Sequence, residues 1–203
     1  VDEIIICSSI NDQDKPLANI AKQNGIKCYF GSPDDVLVRL LGAADKFNLD
    51  YILNITADCP FVDPDYADKI VDKYIETGAD LIRQFDLPHG VFSYGIKVDA
   101  LREVVKLKDS TDTEVWGRYF VDTGLFNVLD LDVEDERHKR PWLRMTLDYP
   151  EDFEFLQTIF DELYVEDKVF SLTEILDLLD RKPGIIDINK DCGNKFKKRF
   201  IDQ

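Results

Sequence analysis

The sequence predicts an α/β fold in which a mostly parallel central sheet is flanked by helices and carries a smaller inserted region. Three observations predict it. Over the first 85 residues, short β-branched runs alternate with amphipathic stretches, the pattern of βαβ units feeding a parallel sheet. The run Tyr51 to Thr56 enters an acidic turn at Asp58 and then a helix opened by Asp63-Pro64. A second strand-like run after Pro141 ends in another acid, Asp148, again ahead of a helix with proline in its first turn.

Ile4 to Ser8, Lys27 to Phe30, Tyr51 to Thr56 and Asp80 to Gln84 read as strands. Pro16 to Asn24 reads as a short helix ending at Gly25, which suits a left-handed C-terminal cap. Ser32-Pro33-Asp34-Asp35 opens the next helix with a capping hydroxyl, a proline at the first helical position and acids at the positive end of the dipole. Its apolar stripe is Val36, Leu37, Leu40, Leu41, Ala44 and Phe47, with Arg39 off the stripe.

From about residue 86 to 140 the rhythm changes and an insertion is expected. Leu87-Pro88-His89-Gly90 is a turn, Phe92 to Val98 a strand and Asp99 to Leu107 a helix. A helix starting at Ser110 is expected to carry Val115, Trp116, Tyr119 and Phe120 on one face, with Glu114 and Arg118 paired four apart on the next. Gly124 to Leu131 reads as a strand. Between Trp142 and Asp148, Leu143, Met145 and Leu147 alternate with Arg144, Thr146 and Asp148, the period of a strand. The helix from Pro150 is expected to bury Phe153, Leu156, Phe160 and Leu163, and Ser171-Leu-Thr-Glu174 is a capping box. The Lys- and Arg-bearing stretch from Asn189 reads as a solvated end or linker.

At 203 residues, 44% hydrophobic and 11% aromatic, the chain has enough apolar material for a full core. No apolar run approaches the roughly 20 residues that span a bilayer, and the opening residues lack the basic flank of a signal peptide. Cys7, Cys28, Cys59 and Cys192 are widely spaced with no Cys-x-x-Cys, which points to reduced thiols in a cytoplasmic protein. A net charge of −16 argues against nucleic-acid and anionic-membrane partners. An anionic small ligand would need a metal ion and local cations, for which Arg39, Arg83, Lys97, Arg118 and Arg137-His-Lys-Arg140 are candidates.

Taken alone, Ala57-Asp58-Cys59-Pro60 is a turn supported by its own Asp. Two acids at separate strand ends, however, are where α/β proteins hold metals and phosphates. Asp58 and Asp148 are therefore expected to share one Mg²⁺, an ion that uses one or two carboxylates and fills its shell with phosphate oxygens and water.

The strings Gly31-Ser-Pro-Asp-Asp-Val-Leu-Val-Arg39, Ile55-Thr-Ala-Asp-Cys-Pro-Phe-Val-Asp-Pro64 and Leu143-Arg-Met-Thr-Leu-Asp-Tyr-Pro-Glu-Asp-Phe153 resemble the cytidylyltransferases that activate acidic sugars. The nearest branch is the spore coat polysaccharide biosynthesis protein F type, related to acylneuraminate and deoxyoctulosonate cytidylyltransferases. The resemblance covers about residues 1 to 180. It implies a Rossmannoid, glycosyltransferase-A-like nucleotidyltransferase fold over residues 1–185, with 86–140 inserted as a sugar-binding or dimer wall and 186–203 as a basic tail. It also implies CTP and an acidic sugar as substrates, and Mg²⁺ on Asp58 and Asp148 as the catalytic pair. By the same resemblance Ser32, Arg39, Asn54 and Thr56 lie near the nucleotide. His89, Gly90, Glu114, Trp116 and Arg118 face the sugar or the partner subunit of a homodimer.

The family's opening strand and its Gly-rich loop, whose Arg and Lys hold the triphosphate, have no match here. The expectation is a fragment that binds and turns over CTP poorly. The competing expectations are a non-catalytic domain for oligomerisation or partner binding, and a nucleotidyltransferase for another nucleotide and sugar phosphate.

Overall fold

The computed structural model describes the backbone of residues 1–201 and the side chains of residues 1–196. In chain order the elements are β1 (Ile5–Ser9), α1 (Pro16–Gln23), β2 (Lys27–Gly31), α2 (Val36–Phe47), β3 (Tyr51–Asn54), α3 (Pro64–Thr77), β4 (Leu81–Arg83), β5 (Tyr94–Lys97), α4 (Val98–Leu107), α5 (Arg118–Val121), β6 (Val128–Asp130), α6 (Pro150–Leu163), α7 (Leu172–Arg181) and α8 (Cys192–Ile201). Short 3-10 turns lie at Asp12–Asp14, Glu136–His138 and Pro183–Ile188. β1 and β2 pair in parallel with Ile5 opposite Lys27 and Ser9 opposite Gly31. The other four strands form a mixed sheet in the order β3-β5-β4-β6.

The chain divides into two compact units, the first made of Val1–Ile52, Thr77–Leu81 and Gly95–Leu129, the second of Leu53–Glu76, Ile82–Tyr94 and the chain from Asp130 onward. The stretch expected as one insertion, 86–140, is thus shared between the two.

In the first unit α2 lies against the β1–β2 pair and α4 against α2. Leu37, Leu101 and Phe120 are fully buried there. Gly25 closes α1 with φ +67°, the left-handed position that costs glycine nothing. The start of α2 differs from expectation. Ser32 and Pro33 precede the helix, and Asp35 is the cap, its Oδ1 accepting the Val38 N–H at 3.1 Å. Ser32 instead accepts the Asp35 N–H at 3.1 Å, which shapes the turn ahead of the cap. Asp35 is recruited because Lys108 and Thr113 converge on it: the Lys108 ammonium sits 2.5 Å from Oδ2, and the Thr113 hydroxyl donates to Oδ1 at 3.0 Å.

The helix expected from Ser110 is only the four residues of α5. Ser110, Asp112 and Thr113 bind nearby backbone and Asp35 with their side chains, which competes with helical bonding. With Glu114 outside the helix, the expected Glu114–Arg118 pair does not form among the described residues; Arg118 donates to the Tyr119 hydroxyl at 3.0 Å.

The core of the second unit gathers Phe61, Leu87, Val91, Met145, Phe155 and the inner faces of α6 and α7. Burying a ring such as Phe155 contributes about 2–3 kcal/mol. Asp63 joins two helices here: Oδ1 accepts the N–H groups of Asp65 and Tyr66 at the start of α3, and Oδ2 accepts that of Leu172 at the start of α7. The Ser171–Glu174 capping box forms as expected.

Three expectations fail in this unit. α6 buries Leu156 as expected, with Leu163 packed partly buried against the core, but its other buried residues are Asp152, Phe155 and Ile159, and Phe153 and Phe160 are exposed. Aromatic residues occupy two neighbouring stripes of equally helical spacing, and the buried Asp152 fixes which one turns inward. The run Trp142 to Asp148 is not a strand; it makes a single parallel bridge, Arg144 to His89. Its alternation does not separate core from solvent, because Arg144 and Thr146 are buried along with Leu143 and Met145, while Leu147 is exposed. The stretch from Asn189 is folded rather than a solvated linker. Asn189 and Cys192 are buried, Lys190 pairs with Asp187 and Lys195 with Glu151, and α8 follows. The side chains of Lys197, Lys198 and Arg199 lie outside the described residues.

All four cysteines are free thiols, Cys192 buried and the others half-buried. Among the described residues no helix is long and apolar enough to cross a membrane.

Candidate active site

Asp58 and Asp148 are brought together by backbone pairing in the second unit. β3 ends at Asn54, and Thr56 to Cys59 forms a turn closed by the Cys59 N–H on the Thr56 carbonyl at 3.0 Å. The Asp58 carbonyl then accepts the Leu147 N–H at 2.8 Å, so the backbone of the first acid lies beside the residue preceding the second. The turn at His89 pairs with the same loop. The His89 N–H donates to the Leu143 carbonyl at 2.9 Å, and the His89 carbonyl accepts the Met145 N–H at 2.7 Å. Gly90 follows with φ +97°, and a Cβ there would stand 2.6 Å from the Met145 carbonyl carbon and oxygen and 2.8 Å from the Thr146 nitrogen. Only glycine allows this approach of two backbones.

A buried ion cluster holds Asp148 from behind. Arg144 extends its Nη2 to Asp148 Oδ2 and to Asp152 Oδ2, and its Nε donates to Asp152 Oδ1 at 3.0 Å. The Asp152 side chain is fully buried, that of Arg144 is 6% exposed, and that of Asp148 is 24% exposed. Asp152 Oδ2 also accepts the N–H groups of Asp148 and Tyr149, both at 3.1 Å, and so fixes the backbone that carries the acid. Asn189 donates to Asp152 Oδ1 at 2.9 Å and to the Arg144 carbonyl at 3.1 Å. Burial pushes the Asp152 carboxyl up, but the bonds from Arg144, Asn189 and the backbone outweigh it and hold it below the usual carboxylate range. Among the described residues, the buried Arg144 Nη1 has no hydrogen-bond partner; the guanidinium lies 5.2 Å from the Phe196 ring centroid and 5.7 Å from that of Tyr149.

His89 stacks at 6.0 Å on Phe92 and lies 5.8 Å from Phe196. Burial and the Arg144 charge depress its pKa, against the opposing pull of Asp148, Asp58 and Asp152, so the ring is neutral at neutral pH. Burial raises the Cys59 thiol despite the hydrogen bond from Thr56, and the neighbouring Asp58 charge raises it further. The thiol is therefore protonated beside the acid.

Asn54, Thr56, Asp58, His89, Gly90 and Asp148 all belong to the second unit. Ser32, Arg39, Glu114, Trp116 and Arg118 belong to the first. There, Arg39 Nη1 donates to the carbonyls of Ser32 and Pro33 at 2.6 and 2.9 Å, so these two expected nucleotide neighbours do meet. Trp116 is buried edge-on against Phe120 as a piece of core. Of the other candidate cations, Arg83, Arg137 and Arg140 are paired with Asp130, Asp135 and Asp180. Sequence reasoning missed Arg144, Asp152 and Asn189. Arg144 shares the alternating face of Asp148, the one signal that could have singled it out.

The two carboxylates offer hard oxygen donors, which suit Mg²⁺. Among the described residues no group of three or more His, Cys, Asp and Glu could hold a metal.

The profile of the family described as Cytidylyltransferase matches residues 2–171. The chain is similar to the spore coat polysaccharide biosynthesis protein SpsF of Bacillus subtilis, with 25% identity over 185 residues, 90% of this chain and 76% of that protein. Among solved structures it is similar to a cytidylyltransferase from Leptospira borgpetersenii, with TM-score 0.81 and 22% identity over 90% of this chain and 77% of that one. It is also similar to a CMP:2-keto-3-deoxy-manno-octonic acid synthetase complexed with CTP, with TM-score 0.57 and 11% identity over 80% of this chain and 82% of that one. The chain shares the Rossmann-like α/β fold of these nucleotidyltransferases.

Proposed function

The chain belongs to the cytidylyltransferase family, and on that premise we propose that it transfers CMP from CTP to a hydroxyl of an acidic sugar, with release of pyrophosphate and with Mg²⁺ held by Asp58 and Asp148. The observation that carries this reading is the bond from the Leu147 N–H to the Asp58 carbonyl, which joins the turn carrying the first acid to the residue before the second. The kinship with a protein named for spore coat polysaccharide biosynthesis supports a sugar as acceptor.

Asp58 and Asp148 would each give a carboxylate oxygen to the ion and leave the rest of its shell to phosphate oxygens and water. Bound there, Mg²⁺ would neutralise charge developing on the α-phosphate and fix in-line geometry. The chain's own work is preorganisation. Arg144 and Asp152 hold Asp148 and its backbone in place before substrate arrives, so no ordering is needed at the moment of reaction. Within the second unit, Asn54 and Thr56 would lie near the nucleotide, and His89 and Gly90 near the sugar.

Phosphorus NMR on the protein expressed from its complete reading frame tests this. Supplied with CTP, Mg²⁺ and a panel of eight- and nine-carbon keto-acid sugars, it should release pyrophosphate with at least one sugar, and should release much less with ATP, GTP or UTP. Pyrophosphate release only with a neutral sugar phosphate, or with no member of either class, would overturn the reading.

A further inference from the structure

The family profile ends at residue 171, yet the acid-bearing loop is held by residues well beyond it. Asn189 is 4% exposed and follows the 3-10 turn Pro183–Ile188. Its amide nitrogen donates to two acceptors of that loop, Asp152 Oδ1 at 2.9 Å and the Arg144 carbonyl at 3.1 Å. Its own carbonyl accepts the Cys192 N–H at 2.9 Å, which ties it to the start of α8. Two more anchors fall on the same loop: Lys195 pairs with Glu151 at 2.5 Å, and the Phe196 ring faces the Arg144 guanidinium at 5.2 Å.

We propose that Asn189 is a positioning residue for Asp148, acting on the acid-bearing loop from beyond the family profile. This rests on the reading of Asp148 as a metal-holding acid. The chain of contacts is short. Asn189 fixes Asp152 and the Arg144 backbone; Asp152 binds the N–H groups of Asp148 and Tyr149; Arg144 reaches the Asp148 carboxylate.

The chemistry selects an amide at this position. Both groups facing its nitrogen are acceptors, so the side chain must supply two donors. A carboxylate would repel Asp152, and an ammonium would compete with Arg144 for it and cancel the negative charge available to a cation. An uncharged donor pair leaves Arg144 against Asp148 and Asp152, a cluster with one net negative charge.

The test compares Asn189→Ala and Asn189→Asp with Ile185→Ala, a core change in the 3-10 turn just before Asn189 that, among the described residues, makes no hydrogen bond to the loop. Two quantities are read alongside Tm: hydrogen exchange at the amides of Asp148 and Tyr149, and the Mg²⁺ concentration that gives half-maximal CTP turnover. Removing partners that orient metal ligands typically costs about 10- to 100-fold in metal affinity or activity. Both Asn189 variants should therefore raise the Mg²⁺ requirement about tenfold or more, and exchange at these two amides should be faster than in the parent. Ile185→Ala should lower Tm and move neither.

If the Asn189 variants shift exchange and Mg²⁺ requirement no more than Ile185→Ala does, the proposal is overturned and the segment is a scaffold only. If exchange accelerates in the Asn189 variants while parent turnover proves independent of Mg²⁺, the bracing of Asp148 stands and its role toward the metal falls.

Discussion

Replacing Asp152 with Asn probes the cluster behind the site. The change keeps side-chain size but removes a fully buried carboxylate facing a guanidinium that is 6% exposed. Breaking a buried pair from one side costs about 3–5 kcal/mol. Arg144 retains Asp148, which places the loss near the lower end, about 3 kcal/mol. For a chain of 203 residues each kcal/mol moves Tm by roughly 2–4 °C, so a fall of about 6–12 °C is expected. Asp148→Asn removes a partner that is itself 24% exposed, and should cost no more than about 1 kcal/mol. Urea unfolding followed by circular dichroism separates the two: with m near 3 kcal/mol/M, Asp152→Asn should lower the midpoint by about 1 M and Asp148→Asn by about a third of that. Equal losses in the two variants would refute the claim that the buried pair, not the half-exposed one, carries the stability.

Gly90→Ala should destabilise the protein by at least about 2 kcal/mol, since φ +97° strains any side chain and the new methyl meets the Met145 backbone at 2.6 Å; a variant with parental Tm and parental exchange at Met145 would show that the turn relaxes freely. The Asp35 carboxyl is pushed up by burial but held below its usual value by Lys108, the Val38 N–H and Thr113. A folded-state pKa below the unfolded one stabilises above about pH 3.9 and is lost as pH falls through the folded value. Tm measured from pH 7 to pH 2 should therefore fall more steeply below about pH 4 in the parent than in Asp35→Asn, and parallel curves would contradict the assignment.

Local signals were legible in the sequence. Asp63-Pro64 and the Ser171–Glu174 box cap their helices because a capping side chain acts on backbone two or three residues away. The acidic turn at Asp58 follows from a strand that must end where a proline and a turn-forming acid meet. Non-local choices were not legible. Asp152 reads as an ordinary acid in a helix's first turn, yet it is buried because Arg144 and Asn189, the latter 37 residues away, converge on it. That burial rotates α6, so Leu156 and Leu163 of the stripe read from spacing pack inward while Phe153 and Phe160 turn out. Arg144 looks like the polar face of a strand, and the strand shrinks to one bridge because His89 and Asp58 supply its backbone partners. The helix expected at Ser110 gives way to side chains that prefer Asp35, 78 residues from Thr113.

The central claim is that Asp58 and Asp148 hold one divalent ion together with the nucleotide. Diffraction at the manganese absorption edge, from crystals grown with Mn²⁺ and CTP, tests it most directly. The account predicts an anomalous peak about 2 Å from a carboxylate oxygen of each aspartate, bridged to phosphate oxygens, and no such peak in Asp58→Asn or Asp148→Asn. A peak that touches neither aspartate, or one that persists in both variants, would contradict it.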